Sequence, residues 1–200
     1  MISVCISLLC LMAGVDPAPK PELLPELPQE WRFERIDFPL PFAPKLKYDG
    51  FEELGFAPGM FDAQSETYFT YIFAMKITTD ISIDVKMLRS LLETYYRGLC
   101  RAVAKGTEFD IDESKILSTV AEDHYEAKDS RHFTVTLESY DPFVTGKPLK
   151  LHLEMLVVEK SPSDHRIFAI VSPTPADSSV WNQLRELKKK FQEHAARSEK

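Results

Sequence analysis

In two stretches between residues 132 and 159 apolar side chains recur at every second position, and a short apolar run follows at 166–171, with no helical period among them. Phe133, Val135 and Leu137 alternate through His132–Tyr140, and Leu149, Leu151, Leu153, Met155 and Val157 continue the alternation through Pro148–Glu159. Arg166–Val171 (RIFAIV) is a short apolar run of the kind that forms a buried strand, and Pro173 and Pro175 end it. A period of two places such residues on one face of a strand. Ile116–Glu126 alternates more weakly and adds a fourth strand to the run. Nothing in this half of the chain alternates strand with helix, which excludes a doubly wound parallel sheet.

Two segments carry the other period. Val85, Leu88, Leu92, Tyr95, Leu99 and Val103 step by three and four, which predicts an amphipathic helix. Ser82 or Asp84 is placed to cap it, Gly106 to stop it, and Arg89, Glu93, Arg97 and Arg101 fall on the water side. A second helix is predicted after Asp177 or Ser178, with Trp181, Leu184, Lys188, Phe191 and Ala195 near one stripe and Lys188–Lys190 as solvated charge. Tyr68–Ile77 is apolar on both alternating faces, the pattern of a central strand covered on both sides. Trp31, Phe33, Phe38, Leu40 and Phe42 alternate among prolines and predict an edge strand or extended arm; Leu54 and Phe56 predict a short strand. The expected fold is α+β, a mainly antiparallel sheet with two principal helices packed on it.

At the amino end, Ile2–Met12 is an uncharged apolar run followed by Ala13 and Gly14. It has the length of a signal-peptide core and falls short of the roughly 20 residues a membrane-spanning helix needs. Residues 1–14 are therefore expected to be a signal peptide, although no Lys or Arg precedes the run. Leu8 and Leu9, just before Cys10, are too large for a lipoprotein signal. Residues 15–30 carry Pro17, Pro19, Pro21, Pro25 and Pro28, which excludes helix and central strand and predicts a spacer. Residues 31–200 are expected to form one α+β domain with no transmembrane segment. The mature chain would keep one cysteine, Cys100, at the edge of the first helix's apolar face, so no internal disulfide is expected.

Chemistry is harder to find. The chain has 24 basic and 31 acidic residues, a net charge of −7, which argues against a nucleic-acid partner. GxSxG, GxGxxG and P-loop motifs do not occur, and the five histidines make no metal-ligand spacing, so no cofactor and no metal are expected. Glu122, Asp123, His124, Glu126, Asp129 and His132 form a polar cluster, but it contains Lys128 and Arg131 and straddles an expected turn. If the 132–140 and 149–158 strands pair with positions summing to 290, His152 lies opposite Glu138 and Glu154 opposite Thr136. A His–Glu pair suits general acid–base catalysis, and equally any solvent-facing sheet.

The other candidate is the aromatic front end, Phe38, Phe42, Phe56, Met60 and Phe61, which includes a Pro58–Gly59 sequence expected to form a type II turn. Folded over the sheet, these residues are core; exposed together, Phe56, Pro58, Met60 and Phe61 would be a partner-binding patch. A third possibility is a cavity for a small apolar ligand lined by Tyr71, Phe73, Leu92 and Tyr95.

The succession of strands, helix, antiparallel strands and closing helix resembles the PsbP-like α/β/α sandwich, named after an extrinsic subunit of photosystem II. The local match is Arg166–Val171 followed by Val180–Trp181, similar to that family's apolar strand, short polar turn and Trp in the last helix. The Phe56–Phe61 stretch also resembles uncharacterised secreted bacterial proteins. The PsbP-like resemblance implies a noncatalytic partner-binding or assembly role and carries no functional residue onto this chain. The expectation is thus a secreted or periplasmic, noncatalytic domain that binds a protein or envelope component. The alternatives are a hydrolase using Glu138 and His152, or a carrier of a small apolar ligand.

Overall fold

The structure, a computed structural model, describes residues 20–123 and 130–197, the last two without their side chains. The expected signal peptide, and residues 124–129 of the polar cluster, lie outside the described residues. Seven strands, β1 (Arg32–Asp37), β2 (Gly50–Phe56), β3 (Tyr71–Ile77), β4 (Leu117–Asp123), β5 (Arg131–Tyr140), β6 (Pro148–Ser161) and β7 (Asp164–Ser172), form one sheet in the order β1-β2-β3-β7-β6-β5-β4. Every neighbouring pair is antiparallel. Two meanders, β1–β3 and β4–β7, thus meet along β3 and β7. Helix α1 (Val85–Val103) makes the connection between them, and α2 (Ser179–Arg197) follows β7. The fold class is α+β, as the separated periods predict.

Each face of the sheet has its own core. On one face Phe73, Met75, Leu153, Met155, Ala169 and Val171 pack with Leu88, Leu91, Leu92, Tyr95 and Tyr96 of α1. On the other, Ile72, Ala74, Leu156, Val158, Phe168 and Ile170 pack with Trp181, Leu184, Leu187 and Phe191 of α2, where the Phe168 and Phe191 rings stack at 4.4 Å. The two-sided apolar pattern of 68–77 is satisfied because β3 sits at the middle of the sheet. Fully burying one such side chain contributes about 1.5–3 kcal/mol. Asp84, rather than Ser82, caps α1, accepting from the Met87 N–H at 2.7 Å. Helix α2 is fastened to β6 by Glu154, which holds Arg185 at 2.8 Å and the Lys188 ammonium, so Lys188 is an ion-pair partner and not free solvation.

Several expectations change. The segment 38–42 is not strand: β1 ends at Asp37, and 38–48 turns over α1. There the Phe42 ring meets Tyr95 edge-on at 4.9 Å. Gly98 permits this approach, since a Cβ there would lie 2.2 Å from the Phe42 carbonyl oxygen. Glu93 and Arg97 do not point into open water but toward the free edge of β4. Glu93 accepts from the Ser118 N–H at 3.1 Å, and Arg97 donates to the Ile116 carbonyl at 2.7 Å. An edge whose backbone groups are already engaged is a poorer template for unwanted pairing.

The Pro-rich segment differs most. Prolines exclude helix and ladder from 20–30, but they do not exclude packing. Leu23 and Leu24 are buried in the α2-side core together with Trp31. The Glu53 carboxylate, itself 0% exposed, accepts the backbone N–H groups of Glu22 (2.8 Å), Leu23 (2.9 Å) and Leu24 (3.0 Å). Arg35 reaches the same carboxylate at 3.4 Å, and Lys76 holds Glu22 at 3.0 Å. The packed body therefore starts near residue 22, not at residue 31. Because this anchoring is one buried carboxylate against three amides, Glu53→Ala is expected to destabilise the protein by about 2–4 kcal/mol. It should also expose residues 20–30 to limited proteolysis; unchanged melting with unchanged protection would show that the anchor is dispensable.

Candidate functional site

The front segment divides into core and surface. Phe56 and Met60 are buried, Met60 to 2% exposure, so they are structural and cannot form a contact surface. Pro58 is exposed and Phe61 is 40% exposed. The turn at 57–60 closes through Met60 N–H to Ala57 C=O at 3.0 Å, and Gly59 does not take the positive φ of a type II turn. Its role is close approach: a Cβ would lie 1.8 Å from the Ser65 hydroxyl. Phe61 lies against Phe143 with ring centroids at 5.2 Å, and the Arg32 guanidinium stands 5.0 Å from the centroids of both Phe56 and Phe61. Val144, beside Phe143, is 38% exposed. Its loop is rigid: the buried Asp141 carboxylate takes the N–H groups of Phe143, Val144 and Thr145 at 2.9, 3.1 and 2.6 Å, and the Tyr68 hydroxyl at 2.5 Å. Burial and that carboxylate push the Tyr68 phenol up to about 12. Pro58, Phe61 and Val144 thus present apolar surface on a fixed base beside a cation. Arg32, Phe143 and Val144 carry no motif, and only the tertiary contact joins them to Phe61.

The catalytic alternative meets a different register. The β5–β6 pairs sum to 288, so His152 lies opposite Thr136, Glu138 opposite Lys150, and Glu154 opposite Thr134. Glu138 holds Lys150 at 3.1 Å, both more than half exposed, an interaction worth a few tenths of a kcal/mol. The loop fixes this register, with Asp141 N–H bonded to Lys147 C=O and Gly146 N–H to Asp141 C=O. The expected His–Glu opposition is therefore absent.

The third expectation leads to the most unusual chemistry. Tyr71, Phe73, Leu92 and Tyr95 do meet in the α1-side core, with Phe73 and Tyr95 stacked at 6.2 Å. Among them lies an acid that the strand period would have revealed. Glu52 falls in step with Leu54 and Phe56, so its side chain points inward. It is 0% exposed, and neither carboxyl oxygen has a partner in hydrogen-bonding geometry. Burial pushes its pKa up to about 8; the nearby Tyr95 hydroxyl partly opposes this and the Glu34 charge adds to it. The Tyr71 and Tyr96 hydroxyls bond each other, and burial raises Tyr71, Tyr95 and Tyr96 above the usual phenol range. Cys100, also buried, is pushed up to about 11 by desolvation, which makes it an inert thiol. Among the described residues no three His, Cys, Asp or Glu converge on a metal position. Of the polar cluster, Arg131 grips Glu122 at 2.7 Å.

Comparisons with protein-family models, with curated proteins and with solved structures found no match.

The sign of the Glu52 effect follows from linkage. Its folded-state value lies above the ordinary carboxyl value of 4.5, so the stability of the neutral form is complete below 4.5 and is lost as pH rises through about 8. Glu52→Gln, which cannot ionise, is expected to raise the melting temperature above pH 7 and to flatten its decline between about pH 5 and pH 9. Parallel wild-type and variant pH profiles would refute the buried neutral acid.

Proposed function

We propose that this chain is an exported, noncatalytic binding module that docks a protein of the cell envelope or exterior through Pro58, Phe61 and Val144. The observation that carries this reading is the exposed Phe61–Val144 surface, held rigid by Phe56, Phe143 and the Asp141 loop. Among the described residues Arg32 has no ion-pair partner, so the complementary segment brings an apolar side chain flanked by a carboxylate. One helix on each face of an antiparallel sheet supports the resemblance to the PsbP-like sandwich, whose implied role is also partner binding. The apolar run 2–12 supports export, and the anchoring contacts of Leu23 and Leu24 lie beyond a cut near residue 14.

The test is a photo-crosslinking residue at position 61, with a control at the exposed Glu186 of α2. In native envelope extracts position 61 should give one discrete adduct, absent from position 186 and lost on Arg32→Glu. No adduct, or the same adduct from both positions, would refute the docking surface. Export has its own readout: the mass of the mature protein should lack about the first 14 residues, as signal-peptide removal requires, and an intact mass in a cytosolic fraction would contradict it.

A further inference from the structure

We infer that Glu52, with the rings and hydroxyls of Tyr71, Tyr95 and Tyr96, forms an internal site for a small primary ammonium ion, reached beneath segment 38–48. This site is independent of the docking patch, and either can fail without the other.

A buried polar group without a partner is rare and calls for a cause. The neighbouring residue shows that this strand can satisfy a carboxylate when the role is structural, since Glu53 receives three backbone amides and Arg35. Glu52 receives no ion pair among the described residues and neither carboxyl oxygen has a partner in hydrogen-bonding geometry, although the Tyr95 hydroxyl stands close enough to favour its ionised form. The neutral carboxyl both donates and accepts, but once ionised it accepts only, so the partner that would let Glu52 ionise inside the fold is a donor.

The surroundings select its type. The Tyr71, Tyr95 and Tyr96 hydroxyls lie within electrostatic reach of the acid, Phe73 stacks on Tyr95 beside them, and ring faces attract organic cations. A divalent metal ion is a poor fit, because hard cations require several oxygen ligands and among the described residues no three His, Cys, Asp or Glu converge, Glu34 being a second carboxylate within electrostatic reach. A primary ammonium supplies N–H donors to the carboxyl and a short alkyl body to the rings.

Access is built into the cover. The ends of segment 38–48 are tied, with Phe38 N–H bonded to Gly50 C=O and Asp49 N–H to the Thr79 hydroxyl. Between them the backbone hydrogen bonds are internal, Ala43 to Leu40 and Leu46 to Ala43, while Leu40, Phe42, Ala43 and Leu46 rest on the core by apolar contact alone. A cover held in this way can lift without breaking a hydrogen bond to α1.

The test uses the full-length protein and ethylammonium chloride, with sodium chloride at equal ionic strength as the reference. Near pH 8 ethylammonium should raise the melting temperature saturably above the reference, and the apparent affinity should fall toward about pH 6, where the carboxyl must first lose its proton. The Tyr95 ring resonances should shift over the same concentration range. Glu52→Gln should weaken binding by roughly tenfold or more through loss of a charge-assisted hydrogen bond, and Glu138→Gln should leave it unchanged. If Glu52→Gln does not fold, Tyr95→Phe should still reduce the affinity. A response no greater than with sodium chloride, or one retained in Glu52→Gln, would overturn the proposal and leave water as the occupant.

Discussion

Strands β3 and β7 carry apolar side chains on both faces, so each face of the sheet has to be covered where they run. The connection from β3 to β4 supplies α1 for one face, and the chain after β7 supplies α2 for the other. Helix α2 covers only part of its face. Leu23, Leu24, Leu27 and Trp31 cover the part near β2, and the part over β5 and the start of β6 stays polar, with Thr134, Thr136, Glu138, Lys150 and His152. The same demand buries β2, which lies next to β3, and with it two consecutive acids.

Glu52 and Glu53 show how the pleat sorts chemistry. Adjacent side chains of a strand leave on opposite faces, so one acid enters each core. On the α2 side the amino-terminal segment turns three amides to Glu53 and is thereby fixed to the sheet. On the α1 side aromatic rings and an apolar cover surround Glu52 and offer it no such partner. A buried charge that is not paired costs several kcal/mol, which is why Glu52 holds its proton at neutral pH.

Much of the fold was legible because it rests on period. The alternation within 132–140 and 148–159, the apolar run 166–171 and the stripe of 85–103 mark β5–β7 and α1, and the two-sided pattern of 68–77 marks β3. The parts that misled are those where tertiary contact overrides a local rule. Prolines 21, 25 and 28 exclude ladder pairing but not burial, and the partner that holds the segment, Glu53, lies about thirty residues away. The β5–β6 register is set by hydrogen bonds within the 141–147 loop, which a parity argument cannot see; a shift of two keeps every core residue inward and still separates Glu138 from the position opposite His152. Phe56 and Met60 alternate with the strand and its turn and go inward, leaving Phe61 outside. Glu52 was legible in principle, since it keeps step with Leu54 and Phe56.

The molecule thus pairs an exposed apolar surface beside Arg32 with a sequestered acid, both on the α1-side face of the sheet. The first suits a protein partner, and the second sets how the interior responds to protons and to small cations. Glu52 is a neutral carboxyl inside the folded protein. Titration of its side-chain carboxyl carbon by NMR tests this directly. The midpoint should lie near 8; a midpoint in the ordinary carboxylate range, near 4.5, would contradict it.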